Sequence, residues 1–239
     1  MLTRLSKIYV INLDHRTDRW AEMGAQLARV GLGADAPQVQ RFSAVKPEAP
    51  DGFPSIGAKG CFISHLEVLR EAEKLGHERF LILEDDAEFS GRFLTESTAI
   101  FSQIAETEPD ITYLGHRILG ARTGSIETSD ALLVPLKPTV GVQTTHAMVI
   151  SQAACAKMIP YFEAMLERPP GDPAGGPMHV DGAYSWFRKD HPDCITLITP
   201  QEVIGQRSSK SDIYDGGWKE RLPFLPLVRR LANRLKHKA

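Results

Sequence analysis

RFLILEDDAEF, residues 79–89, is an apolar run that stops at three consecutive carboxylates, Glu84, Asp85 and Asp86, before apolar residues return. FLILE has the composition of a buried strand. Adjacent like charges repel, and each resists losing water unless it is paired or bound to a cation. A solvated turn after a core strand is one reading. The position supports another, because ligands of open α/β sheets sit outside the carboxyl ends of the strands.

Working outward, KIYVINL (7–13) and VQRFSAV (39–45) read as further strands, with a helix between them. Trp20, Met23, Leu27 and Val30 form that helix's apolar stripe, and Gly31 supplies its stop. Residues 46–59 read as a Pro/Gly-rich loop. Phe62, Ile63, Leu66, Leu69 and Leu75 mark the helix that leads into FLILE. Beyond the acidic triplet come a helix near 91–105, a strand at 111–115, and loops with short strands over 116–143. HAMVI (146–150) is a strand, and Ser151 caps a helix over 152–166 that contains Pro160. Residues 168–177 form a loop, 180–190 a helix and 194–200 a last strand. Strands alternating with helices predict one α/β domain over 1–219, with a mostly parallel sheet and helices on its faces.

The 239 residues include 42% hydrophobic and 24% charged side chains, as in ordinary globular proteins. Residues 220–239 carry six Lys/Arg against one acidic residue, a balance of +5, which leaves −7 on the body from a total of −2. An acidic body argues against a nucleic-acid partner. Cys61, Cys155 and Cys194 are odd in number, far apart and show no CxxC spacing, which suits reduced thiols in a reducing compartment and not a disulfide framework or a zinc site. The apolar run at the N-terminus is short for a signal peptide, and no stretch has the length of a membrane span. The expectation is a soluble cytoplasmic protein.

Polar clusters follow the predicted strands. Asn12, Asp14, Arg16 and Arg19 stand at the entrance to the first helix, where guanidinium groups suit a phosphate or a base edge. The acidic triplet offers the oxygen ligands that hard divalent cations prefer. Asp181 follows a Gly/Pro-rich loop, and QRSSKSDI (206–213) brings Arg207, Ser208, Ser209, Ser211 and Asp212 together. In combination these clusters fit a metal-bridged nucleotide diphosphate carrying a sugar.

The order of the motifs resembles glycosyltransferase family 25, associated with lipopolysaccharide biosynthesis and collagen galactosylation. The resemblance is carried by IYVINLDHRTDR, GAKGCFISHLEVLREAEKLGHERFLILEDDAEF, THAMVISQAACAKMI and VDGAYSWF, with QRSSKSDI a further match. Relatives commonly carry two basic residues after the first-motif Asp, whereas this chain has His15 and then Arg16. The resemblance implies a single Rossmann-like domain of the GT-A type, a D-x-D-like acidic motif, inversion at the anomeric carbon and a UDP-sugar donor, most often UDP-galactose. On that reading Glu84 and Asp86 hold Mn²⁺ or Mg²⁺, and Asp85 touches ribose or the metal. Asn12, Asp14, Arg16, Arg19, Ser64, Arg207, Ser209 and Ser211 contact the donor. Asp181 is either the general base or a helix cap. His65 is either a site residue contacting the donor sugar or a satisfied core histidine. His146, on a core strand, reads as structural.

The expected acceptor is a glycan or lipid-linked saccharide of bacterial lipopolysaccharide or another surface glycan. Phe224, Leu227, Val228, Leu231 and Leu235 share one helix face in the basic tail, which suits either a peripheral anionic membrane contact on the inner face or docking on the body. Two rival functions are a non-catalytic nucleotide-sugar or glycan binder of the same fold and a metal-dependent phosphotransferase or phosphatase.

Overall fold

Period-two alternation in two short apolar strands organises the sheet. In β1 (Lys7–Asn12), Tyr9 and Ile11 face one side, while Ile8 and Val10 face the other. In β3 (Arg79–Glu84), Phe80 and Ile82 share the first side, and Leu81 and Leu83 the second. Both strands are covered on both faces, so their interiors are continuous apolar runs. In this computed structural model of the chain, the residues described are 5–119, 126 and 129–207.

The remaining strands are β2 (Val39–Ser43), β4 (Ala87–Phe89), β5 (Ile111–Ile118), β6 (Val134–Pro135), β7 (Val142–Ser151), β8 (Thr196–Ile198) and β9 (Ile204–Gln206). The helices are α1 (Thr17–Arg29), α2 (Ile56–Lys74), α3 (Gly91–Thr107), α4 (Gln152–Glu167) and α5 (Val180–Asp190). Seven strands form the main sheet in the order β2-β1-β3-β7-β5-β8-β6. β2, β1 and β3 are parallel, as are β5 and β8, whereas β7 and β6 run against their neighbours. The sheet is therefore mostly parallel in direction. β4 and β9 form a separate antiparallel pair. Helices α2, α4 and α5 pack on the Tyr9 face, and α1 and α3 on the Ile8 face. Each large apolar side chain buried this way contributes about 1.5–3 kcal/mol.

Several elements differ from the sequence expectation. α2 begins at Ile56, inside the stretch read as loop, because the Ser55 hydroxyl accepts from the Ala58 amide and starts the helix early. Ser151 caps α4 in the same way through the Ala154 amide, and the helix runs through Pro160. The strand expected over 194–200 narrows to Thr196–Ile198. HAMVI proves to be the end of a ten-residue strand that runs antiparallel to β3. β4 and β9, three residues each, carry too short a pattern to be read. Ser208, Ser209, Ser211, Asp212 and the tail 220–239 lie outside the described residues. Among the described residues no helix is long and apolar enough to cross a membrane.

Candidate active site

The three adjacent parallel strands β2, β1 and β3 end at one edge of the sheet, and α2 starts over the same edge. A cavity of about 260 Å³ lies there. That is near the lower end of the about 300–1,000 Å³ typical of small-molecule clefts. Leu13 follows β1, Lys46 follows β2 and Glu84, Asp85 and Asp86 follow β3, while Gly57, Gly60 and Cys61 come from the first turns of α2. Gly60 lets helix and loop approach: a Cβ there would lie 2.6 Å from the Val45 carbonyl oxygen. Ser64, fully buried, fixes the same contact, donating to the Gly60 carbonyl (2.7 Å) and accepting from the Val45 amide (2.8 Å). Its hydroxyl is thereby engaged within the protein while the residue forms part of the cavity wall.

The three carboxylates of the turn have different partners. Asp85 accepts from Asn12 Nδ2 and from Arg19 Nη1, each at 2.6 Å. Asn12 Oδ1 accepts in turn from Arg41 Nε (2.8 Å), and Arg41 stacks over Trp20. Asp85 is therefore held by two protein partners, one on each carboxylate oxygen, while it also lines the cavity. Arg207 braces the turn from below. Its guanidinium donates to the carbonyls of Asp85 and Ala87 and to Glu22, and its amide donates to the Asp86 carbonyl. Those bonds keep Arg207 beside the turn, where it shapes the site through the backbone.

Glu84 and Asp86 remain. Asp86 Oδ1 is buried with no hydrogen-bond partner, and Arg19 Nη1 stands 3.9 Å from Oδ2. Burial, and then the charge of Glu84, push the Asp86 carboxyl up to about 7. Burial also works to raise Glu84, but the neighbouring His65, with His146 and Arg19, outweighs it and holds that carboxyl below its usual value. A buried, unpartnered carboxylate oxygen beside a second carboxylate is an arrangement that a divalent cation relieves. The carboxylate oxygens of Glu84 and Asp86 are donors of the kind that such an ion takes.

On the first-strand side, Asp14 Oδ1 accepts from the Ser43 hydroxyl (2.7 Å), and its carbonyl accepts from Arg41. Arg16 makes a two-pronged pair with Asp18 at 2.9–3.0 Å. His15, given no role from sequence, lines the cavity, as does Lys46. Lys46 sits in a stretch that read as plain loop, and its only sequence signal is that it follows a strand. Arg41 was equally hidden, since a single arginine inside a strand carries no motif.

Asp181 enters from the other side of β3. Its Oδ1 accepts from the Gly182 amide (2.7 Å) and its Oδ2 from the Thr144 amide (3.3 Å). Thr144 holds φ at 62°, unusual for a β-branched residue, and its buried hydroxyl has no hydrogen-bond partner. Burial pushes the Cys61 thiol up, helped by the charges of Glu84, Asp181 and Asp86, which ties Asp181 to this site although it does not line the cavity. His65 is fully buried between Tyr184 (Nδ1 to OH, 3.2 Å) and Glu84 (Nε2 to Oε1, 3.7 Å). His65 has no exposed surface and adjoins Glu84, which lines the cavity. His146 Nε2 bonds the Ile204 carbonyl at 2.6 Å, holding β9 against the sheet, in keeping with a structural role.

The sequence profile "Glycosyltransferase family 25 (LPS biosynthesis protein)" matches residues 5–167. Two proteins described as "Glycosyltransferase 25 family member", from Anopheles gambiae and Drosophila pseudoobscura pseudoobscura, are each 28% identical over 137 residues. The alignments cover 48% of this chain and 22% and 21% of those relatives, so the chain spans about a fifth of their length. Among solved structures, a glycosyltransferase involved in glycosylation of the major capsid of PBCV-1 aligns over 81% of this chain and 92% of its own, with TM-score 0.41 and 12% identity. A mannose-1-phosphate geranyltransferase from Thermus thermophilus aligns over 81% and 72%, with TM-score 0.39 and 12% identity. Likenesses this weak transfer no residue's role.

Proposed function

The chain belongs to glycosyltransferase family 25, and from that membership we propose that it is an inverting, metal-dependent transferase of the GT-A type. It moves a hexose, galactose first among the candidates, from a UDP-sugar to a glycan or lipid-linked saccharide of a bacterial surface polymer. The observation that carries this reading is the buried, unpartnered Asp86 oxygen beside Glu84 at the carboxyl ends of three parallel strands. Glu84 and Asp86 would hold Mn²⁺ or Mg²⁺, which when bound supplies positive charge to the leaving diphosphate.

The chain's own residues do the rest. Asn12 and Arg19 hold Asp85, and through it the turn, in one conformation. The first turn of α2, with the His15 imidazole and the Lys46 ammonium beside it, presents amide dipoles and hydrogen-bonding side chains to an anionic donor. Asp181 takes the proton from the acceptor hydroxyl on the side away from the leaving group, as single-step inversion requires.

The test is release of UDP from UDP-galactose and other UDP-sugars by EDTA-stripped protein, with and without added Mn²⁺ or Mg²⁺. Release that needs the cation, and is lost in Glu84→Gln and Asp86→Asn, supports the reading. Full release by both variants after metal re-addition would sink it. Thermal stabilisation by donor without any release would mark a binder instead.

A further inference from the structure

α2 carries Cys61 and His65 four residues apart, a spacing that puts both on one helix face. That face is turned toward the end of β3. The Cys61 sulfur, a His65 ring nitrogen and a Glu84 carboxylate oxygen all lie within 4.8 Å of one another. His65 Nε2 is fully buried and has no hydrogen-bond partner, and it stands 3.7 Å from Glu84 Oε1. Two tetrahedral zinc ligands with bonds of about 2.1 Å lie about 3.4 Å apart. The imidazole and carboxylate are therefore already close to coordination spacing.

We propose that Cys61, His65 and Glu84 form a thiophilic cation site, selective for Zn²⁺ or Co²⁺, which shares Glu84 with the all-oxygen pair Glu84 and Asp86 but does not use Asp86. Sulfur and imidazole donors favour borderline-soft ions, whereas Mg²⁺ and Mn²⁺ favour carboxylate and water. The remaining shell is built. Tyr184 OH contacts His65 Nδ1 at 3.2 Å, which orients the ring so that Nε2 points at Glu84. Cys61 and Glu84 both line the cavity, leaving a fourth coordination position open to water or ligand. Binding displaces the thiol proton to solvent, since the metal ligand is the thiolate.

Glu84 belongs to both sets. A soft cation in the new site takes that carboxylate from the hard one, so zinc opposes Mn²⁺-supported turnover; this consequence rests on the transferase reading, whereas the site itself does not.

The deciding experiment is a Co²⁺ titration of the EDTA-stripped full chain with no sugar nucleotide present. A thiolate-to-cobalt charge-transfer band in the near ultraviolet should saturate at one equivalent and be bleached by Zn²⁺. Cys61→Ser should lose the band, while Asp86→Asn should keep it, which separates this site from the oxygen pair. No band in the wild type, or a band that survives in Cys61→Ser, overturns the site. Should Cys61→Ser fail to fold by circular dichroism, zinc-edge X-ray absorption of the wild type decides: one sulfur and one imidazole support the site, and an all-oxygen shell refutes it. None of these readouts depends on UDP release, so failure here and failure of the transferase assay are distinguishable.

Discussion

Asp86→Asn should make the metal-free protein more stable at pH 8. The native carboxyl is pushed up to about 7, by burial first and Glu84 second, against about 3.9 for an exposed aspartate. The native state therefore binds more protons than the unfolded chain between those values. Stability from this group is fully present below the unfolded value and is lost as pH rises through about 7. Three pH units correspond to about 4 kcal/mol. Water reaching the 18% of the side chain still exposed screens part of this, leaving about 2 kcal/mol. Asparagine keeps the shape and removes the titration, and it also relieves the repulsion on Glu84. For a domain of this size the variant should melt about 4–8 °C higher at pH 8 in EDTA, with the gap closing toward pH 4. Saturating Mn²⁺ should close the gap or slightly reverse it by stabilising only the wild type, by about 2.7 kcal/mol at a hundred times Kd. Calorimetry at pH 4.5, 6 and 8, with EDTA and with Mn²⁺, measures all of this. A variant no more stable than wild type at pH 8 in EDTA would refute the view of Asp86 as a strained, cation-seeking carboxylate.

Three further outcomes follow from the same geometry. Arg19→Gln leaves Asp85 without its buried guanidinium and should lower stability by about 3 kcal/mol in urea unfolding; a loss below about 1 kcal/mol would show that Asn12 alone suffices. Gly115→Ala puts a Cβ 2.6 Å from the Ile204 carbonyl oxygen and against the His146 ring, so a loss of about 1–3 kcal/mol is expected, and unchanged melting would mean that β9 is not held there. Asp181→Asn keeps its size and the Gly182 contact but not its basicity, so sugar transfer should fall by ~10²–10⁴ while donor binding persists; wild-type transfer would leave Asp181 only as the brace of Thr144.

The local chemistry of the chain was legible in one dimension. Alternation along FLILE and KIYVIN made these strands, the stripe from Phe62 to Leu75 made α2, and the acidic triplet had to sit at a strand end because charges cannot follow the strand into the core. The order of those motifs also placed the chain in its family. Short elements such as β4 and β9 were not legible, because three residues hold too little periodicity, and neither was the antiparallel direction of β7, because alternation is the same in either sense.

What only the tertiary structure decided is which partner each side chain has. Glu84, Asp85 and Asp86 are chemically near-equivalent neighbours in sequence. Packing assigns Asp85 to Asn12, 73 residues away, and to Arg19, 66 away, and leaves Asp86 with an unpartnered oxygen. Likewise Cys61 reads as a reduced thiol, and His65 as a site residue or a core histidine, until β3 brings Glu84 against them. The physical reason is that periodicity reports the face a residue presents, whereas pairing and burial depend on the element that comes to lie opposite it, and that is settled by long-range packing of the sheet and its helices.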